Sequence, residues 1–532
     1  MIDLIGAPEW KMRNGPLSRR EHPKVRLKGA LCEHCRVALS LSCWEREAVM
    51  VKDVAIIGGG VIGCGIAREL TRYRIDVALV ESEVEVGFGT SKSNSGIIHG
   101  GHHTDPDTLK GELVWAGNQR WVELAEELGF GFRRNGDLTV AFDDAEVETL
   151  ERIGQQGKDR GIPGIEMWSA PRIRREEPNL SGDIVAALHG PTAGVVNPYE
   201  ACFALIECAV ANGLDLRVNA PVTAITKDTD FFEIVAGGDR IRSRMVVNAA
   251  GVHAEAVARM VGLTEPVIRG RKGEEYLLDK RLAGIVSRTI FPCPTETSKG
   301  VLVIPTFDGA IMVGPTAQAV EDLDDVTTSA VGSAAVFDLA RRLVPGISER
   351  DCIAEFAGVR AVAAGNDFVI GPTSVPGFLN VAGIQSPGLT AAPAIAELVV
   401  EMLGNEGLDL SPKTGFRRTV HRPVHAASLS IAELAELATR DRNYAHVVCR
   451  CELVTEAEIR DAIKRGARTL DGLKFRTRAG MGRCQGGFCT PRSMKLLAEM
   501  SGESMADITK RGEGSWIVRE RDQLQDQEGG AQ

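Results

Sequence analysis

The chain has no excess of positive charge. Its 62 Lys and Arg are outnumbered by 72 Asp and Glu, for a formal net charge of −10. That excludes a general nucleic-acid binder and a polybasic membrane anchor, while a local basic pocket stays compatible with it. No apolar h-region follows the charged N-terminus, so no secretory signal is read. No membrane helix is read either. The longest uncharged stretch, Phe368–Ala396, is broken by Pro372, Pro376, Pro387 and Pro393 and by several glycines. There is no internal repeat. These absences predict a cytoplasmic protein that reaches a membrane, if at all, through a partner. What remains is ordinary for a globular chain: 532 residues, 44% hydrophobic and 25% charged, enough for two or three domains.

Twelve cysteines are present. Cys64, Cys202, Cys208, Cys293 and Cys352 are scattered in apolar sequence and read as small buried hydrophobes. The others fall into two groups, Cys32, Cys35 and Cys43, and Cys449, Cys451, Cys484 and Cys489. Without an export signal, grouped cysteines point to metal before disulfide. The first group, with His34 beside it, has only three thiols in irregular flanks and is a weak metal candidate.

Five regions are expected. Residues 1–50 are rich in charge and contain Pro8, Pro16 and Pro23; they read as an N-terminal extension, placed upstream of a start at Met50, or as a small cysteine-bearing arm. Residues 51–410 alternate apolar strands with helical patterns, the order of an α/β (α+β) fold: a Rossmann-like domain with an inserted antiparallel substrate sheet. Residues 411–440 form a connector ending in a short helix near Ile431–Ala438. Residues 441–500 are a compact, helical, cysteine-bearing domain. Residues 501–532 are a polar tail.

The first motif is a dinucleotide site. The apolar run Val54–Ile57 enters Gly58-Gly59-Gly60-Val61-Ile62-Gly63, a G-x-G-x-x-G. A helix follows, with Ile62, Ile66, Leu70 and Tyr73 on one face, then a second run, Val77–Val80, closed by Glu81. Gly58 permits the tight turn, Gly60 lets backbone approach a pyrophosphate, and Gly63 lets helix meet strand. The helix N-terminus offers free N–H groups to phosphates. Glu81 is placed to accept from a ribose hydroxyl. A lone G-x-G-x-x-G is weak, but here every flanking part is in order. No second complete copy exists for a nicotinamide, and no C-x-x-C or C-x₄-C lies in this domain, which argues against a disulfide reductase.

Five later segments extend the pattern: Thr90-Ser91-Lys92-Ser93-Asn94-Ser95-Gly96-Ile97-Ile98-His99-Gly100-Gly101, Gly194-Val195-Val196-Asn197-Pro198, Met245–Gly251, Phe356-Ala357-Gly358-Val359-Arg360-Ala361 and Gly383-Ile384-Gln385-Ser386-Pro387-Gly388-Leu389-Thr390. In this order they resemble the D-amino-acid-oxidase-like superfamily of FAD oxidoreductases. Within it, residues 51–400 are most similar to the A subunit of anaerobic glycerol-3-phosphate dehydrogenase and to L-2-hydroxyglutarate dehydrogenase. The resemblance implies FAD contacts at Thr90, Ser91, Asn94 and Ser95, at Val222, Ala250 and Gly251, and at Gly383, Gly388, Leu389 and Thr390.

The resemblance also implies a reaction: a C–H beside oxygen or nitrogen gives hydride to the flavin, a base takes the hydroxyl proton, and a cation holds the substrate's anionic end. His99 is the candidate base, since a neutral imidazole accepts a proton near pH 7; the competing reading is a structural histidine. His102 and His103 are weaker candidates. Arg360 is the candidate anion grip, unless it is spent on an acid such as Glu355. Lys272 lies on the expected substrate sheet and either meets substrate or faces solvent. The pattern departs from glycerol-3-phosphate dehydrogenases at two points. His102-His103-Thr104 stands where an Arg-Tyr pair is typical, and Gln385-Ser386 where membrane-bound relatives have a Lys. Fewer cations suit a 2-hydroxy carboxylate better than a phosphate dianion.

Cys449-x-Cys451 and Cys484-x₄-Cys489 supply four thiolates, enough for a [2Fe–2S] cluster or a zinc ion, and spacing alone leaves both open. Thr455-Glu456-Ala457-Glu458 between them reads as a capping box that starts a helix. The context resembles the bacterioferritin-associated-ferredoxin-like [2Fe–2S] domain. That implies a dehydrogenase handing single electrons to a partner subunit or quinone, as an oligomer or complex subunit. Two alternatives stay open: an amino- or imino-acid (C–N) dehydrogenase, and an electron-transfer subunit that meets no small substrate.

Overall fold

The computed structural model describes residues 51–295 and 300–519. Cys32, Cys35 and Cys43, and the expected extension that carries them, lie outside the described residues.

The strand Val51–Ile57 sits mid-sheet, paired in parallel with Val77–Val80 on one side and Asp239–Asn248 on the other. Asp215–Arg217 and Phe378–Ala382 extend the parallel run outward. Val54 and Ile56 face one layer, with the helices Val61–Leu70, Pro198–Ala211 and Gly388–Asn405. Ala55 and Ile57 face the other, with Ile225, Ile234, Val246 and Phe378. A strand covered on both faces must be apolar throughout, which is why the sequence there does not alternate. Two antiparallel additions, the hairpin Val222–Lys227/Phe232–Ala236 and Val369–Pro372, complete eight strands.

The inserted sheet has nine strands. It is mainly antiparallel, with one departure: Thr289–Pro292 runs parallel to Asp137–Ala141. Its spine is the pair Ile268–Leu278 and Cys352–Ala363, in register such that Gly273 faces Gly358. The missing side chains there leave a flat strip of backbone beside the Thr90–Ser95 segment, where a Cβ on Gly358 would lie 2.3 Å from the Ser93 carbonyl oxygen.

The C-terminal part is a two-stranded ribbon, Val447–Cys449 and Val454–Thr455, with helices Glu456–Lys464, Leu470–Thr477 and Thr490–Ser501. Thr455 and Glu458 form the capping box in both directions. A second box, Ser430 with Glu433, starts the connector helix Ile431–Arg440. Part of the segment expected as a tail is folded. Residues 502–519 fold back because Ile508 completes the small core with Ile459, Leu473 and Leu497. Lys510 holds Asp471 at 2.9 Å, and Arg511 reaches Glu83 at 2.7 Å.

Buried charge joins this part to the rest. Arg478 donates to Glu452 at 2.8 Å and to Tyr199 Oη at 3.0 Å, and also meets Asp308. Lys280 adds a second cation to Glu452 at 2.8 Å. Arg476 pairs with Glu85 at 2.8 Å and Arg465 with Glu207 at 3.0 Å. Such pairs are costly to desolvate and add little net stability, but they are unforgiving of a wrong alignment.

Candidate functional site

The glycine turn is a cradle with no room for side chains. Gly58 has φ +105°, and a Cβ on it would sit 2.4 Å from the Ala249 carbonyl oxygen. A Cβ on Gly63 would sit 1.9 Å from the Gly58 carbonyl oxygen. At the helix N-terminus the Val61 N–H donates to Ser91 Oγ at 2.9 Å, and a Cβ on Gly60 would crowd that hydroxyl at 3.1 Å. Glu81 accepts from the N–H groups of Gly59 at 2.6 Å and Glu83 at 2.8 Å, and from Ser82 Oγ at 3.1 Å. Burial raises its pKa, and these donors oppose the rise. A dinucleotide fits here: backbone N–H groups for phosphate, bare glycines for close approach, and a carboxylate at the ribose position.

Each of the other expected contacts has a defined place in the fold. Thr90 Oγ1 donates to the Val359 carbonyl at 2.7 Å, tying the segment to the inserted sheet. Asn94 closes its own turn: Nδ2 donates to the Ser91 carbonyl and Oδ1 accepts from the Gly96 N–H, at 2.7 and 2.8 Å. Gly251 opens a short turn at φ +59°. Val222 and Ala250 pack against one core cluster. At the last turn Gly383 has φ +67° and the Gly388 N–H donates to the Gln385 carbonyl at 2.6 Å. Leu389 packs on the helical layer. Thr390 is a buried latch: its Oγ1 accepts from the His99 N–H at 2.9 Å and donates to the Ile97 carbonyl at 3.3 Å.

His99 is buried at the end of the strand Ile97–Ile98. Asn118 Nδ2 holds its carbonyl at 2.8 Å, and its Nε2 lies 3.5 Å from Ser386 Oγ. Arg360 is half-buried, and burial lowers its pKa. Its Nη1 is 3.4 Å from the Thr316 carbonyl, and Nη2 lies where a Cβ on Gly273 would come within 2.4 Å. The acid beside it is Glu275, not Glu355. Glu275 is buried and accepts from Ser95 Oγ at 2.5 Å. Burial pushes its carboxyl up to about 7, against the pull of Ser95 and Arg360. Lys272 is turned to Asp325, 2.7 Å away, which holds that carboxyl far below its usual range.

His102 and His103 enter a second arrangement. His102 Nε2 lies 3.5 Å from Asp137 Oδ1, both fully buried, and His103 Nε2 lies 2.7 Å from Thr139 Oγ1. The two rings meet at a tilt of 41° with centroids 4.0 Å apart. A Cβ on Gly190 would strike both His102 and Asp137. Two imidazoles and a carboxylate within 4.8 Å of one another are metal-type donors, but the ring contact and the Thr139 contact already commit them to each other and to the sheet.

The four C-terminal thiols meet in two pairs, Cys449 with Cys489 and Cys451 with Cys484. No three of these sulfurs lie within 4.8 Å of one another. Four thiolates on one zinc at about 2.3 Å would all lie roughly 3.8 Å apart; two pairs suit two irons. Contact with Cys489 and the N–H groups of Gly480, Glu452 and Cys451 bring Cys449 down to about 6, while Cys489 is raised by holding the pair's proton. Burial works against ionising Cys484, but the Phe488 N–H, Cys451 and the Gly486 N–H outweigh it.

Residues 53–402 match the family profile described as FAD dependent oxidoreductase. The chain belongs to this FAD dependent oxidoreductase family. Residues 447–499 of the oxidoreductase match a BFD-like [2Fe-2S] binding domain, so its cofactors are FAD and a [2Fe–2S] cluster. A glycerol 3-phosphate dehydrogenase of Caloramator mitchellensis is 42% identical over 472 residues, 88% of this chain and 98% of that protein. The anaerobic glycerol-3-phosphate dehydrogenase subunit A1 of Haloferax volcanii is 27% identical over 84% of this chain and 82% of its own length. The FAD-bound L-alpha-glycerophosphate oxidase of Mycoplasma pneumoniae, at 30% identity, superimposes with a TM-score of 0.68 over 70% of this chain and all of that one. The oxidoreductase is an FAD-dependent enzyme similar, over most of its length, to a dehydrogenase named for glycerol 3-phosphate. No helix among its described residues is long and apolar enough to cross a membrane.

Three residues that matter here escape sequence reasoning. Glu275 is one carboxylate of an adjacent pair, Asp137 lies 35 positions from His102, and Ser386 reads only as part of a glycine-turn segment and not as a partner of His99. The only available signal was for Glu275: in Arg271–Tyr276 alternate side chains share a face, so Gly273 and Glu275 point the same way.

Proposed function

We propose that this oxidoreductase oxidises glycerol 3-phosphate at the secondary carbinol and passes the electrons through its cluster to an acceptor protein in a larger assembly. The observation that carries the substrate is the 42% identity, across almost the whole length, to a glycerol 3-phosphate dehydrogenase. When bound, FAD accepts the hydride. The chain's own residues do the rest. Gly58, Gly60, Gly63, Glu81, Thr90, Ser91, Asn94, Ser95, Val222, Ala250, Gly251, Gly383, Gly388, Leu389 and Thr390 hold the dinucleotide. His99, fixed by Thr390 and Asn118, takes the hydroxyl proton. Arg360 holds the anionic end, in a space opened by Gly273. Cys449, Cys451, Cys484 and Cys489 hold the cluster.

A second reading is a 2-hydroxy acid such as L-2-hydroxyglutarate. Its support is the cation count: Lys272 is committed to Asp325, and Arg360 is shared with Glu275. Anaerobic mixing with glycerol 3-phosphate, L-2-hydroxyglutarate, lactate and proline decides. Glycerol 3-phosphate is expected to bleach the flavin fastest. Bleaching by L-2-hydroxyglutarate alone moves the assignment to the second reading, and bleaching by proline alone refutes both.

A further inference from the structure

The two thiol pairs differ in exposure. Cys449 and Cys489 are buried, while Cys451 is exposed and Cys484 half-exposed. One edge of the candidate cluster site therefore faces solvent, and its rim is unusual for this chain. Phe488, between Cys484 and Cys489 in sequence, is 82% exposed. Leu453, two residues after Cys451, is 39% exposed and sits at φ +51°, a backbone rare for so bulky a side chain. Arg450, Arg483, Arg492 and Lys495 are all exposed. Across residues 447–455 and 480–498 the one carboxylate is Glu452, buried under Lys280 and Arg478. A chain of net charge −10 thus gathers cations at its redox edge, where Arg483 pairs with Asp279 at 3.4 Å, Lys495 with Glu499 at 3.7 Å, and Arg450 and Arg492 have no carboxylate partner among the described ion pairs.

We propose that this edge is the docking face for an acidic one-electron carrier protein, a proposal that rests on the relay reading above. An exposed aromatic flanked in sequence by exposed arginines has the composition of a protein–protein hot spot. A bilayer surface calls for a broad amphipathic face, whereas here two apolar side chains stand on tight loops. The positive rim steers a negative partner and orients it toward Cys451 and Cys484. The step moves one electron: the cluster is oxidised and the carrier reduced, and two encounters discharge the pair taken from one substrate.

The test uses the full-length protein loaded with both cofactors, and a flavodoxin as the acidic carrier. Binding is titrated at low and high salt for wild type, Phe488→Ser and Arg450→Glu, after cluster absorbance per chain confirms folding. Zero-length carbodiimide cross-linking then maps the contact. Affinity is expected to fall at least tenfold in each variant and with rising salt, and carrier carboxylates are expected to join Lys495. Equal affinity across the three proteins, or cross-links at other lysines only, overturns the proposal. So does a Phe488→Ser variant that keeps carrier binding but no longer binds phosphatidylglycerol vesicles or no longer dimerises; those results assign the face to lipid or to a second copy. Cluster reduction by glycerol 3-phosphate is followed in the same samples. If the flavin bleaches and the cluster stays oxidised, the relay reading fails whatever the binding shows.

Discussion

Glu275→Gln should change how the protein's stability depends on pH. The carboxyl is raised from 4.5 to about 7 because burial disfavours its charge. Between those values the folded chain keeps the proton that the unfolded chain has released. Stability from this group is therefore full below pH 4.5, falls as pH rises toward 7, and levels off above it. The shift corresponds to about 3 kcal/mol, or roughly 3–6 °C in the unfolding midpoint of a body this large. Glutamine keeps the shape and can still accept from Ser95, but it does not titrate. The assay is thermal unfolding of wild type and variant from pH 5 to 8.5, read as the difference between the two curves. The wild type should lose stability against the variant across pH 5–7 and hold steady beyond. The pair also bears on substrate: ionised Glu275 offsets Arg360, so the wild-type KM for an anion should rise through pH 7 while the variant's stays flat. Parallel unfolding curves with parallel KM profiles would refute the argument.

Three further outcomes are expected. His99→Ala should slow substrate-driven flavin bleaching by about 10²- to 10⁴-fold with the resting flavin spectrum intact; stopped-flow absorbance checks it. Gly63→Ala forces a Cβ onto the Gly58 carbonyl and should leave the purified chain without FAD, seen as lost absorbance near the flavin bands. Arg478→Met strips Glu452 and Asp308 of a shared cation and should destabilise the docked C-terminal part by about 3–5 kcal/mol, with hydrogen exchange rising first in Leu470–Thr477.

The sequence was most legible where backbone alone does the work. Gly58, Gly60, Gly63 and Glu81 occupy one short stretch, and much of their turn is closed among themselves: the Gly59 N–H donates to Glu81, and Gly63 packs on the Gly58 carbonyl. The same holds for the capping box of Thr455 and Glu458, which is a four-residue event. Legibility ended where function depends on register between remote strands. Arg360 meets Glu275 because Ile268–Leu278 and Cys352–Ala363 pair with Gly273 opposite Gly358; nothing local announces that. Lys272 looked available until Asp325 came to it from a loop 53 residues on. The polar look of residues 502–519 hid Ile508, a single apolar anchor too sparse to show periodicity.

The ring of contacts about Arg478 has one last consequence. Tyr199 and Asp308 belong to the flavin-cradling body, Glu452 and Arg478 to the thiol-bearing one, and one guanidinium clasps all of them. The spacing between the two cofactor sites is thus a dimension of the fold, set once at assembly. In the relay proposed above, an electron crosses that gap at a rate indifferent to dilution and to solvent viscosity. Any collision-limited step has to lie at the outer end of the chain of carriers.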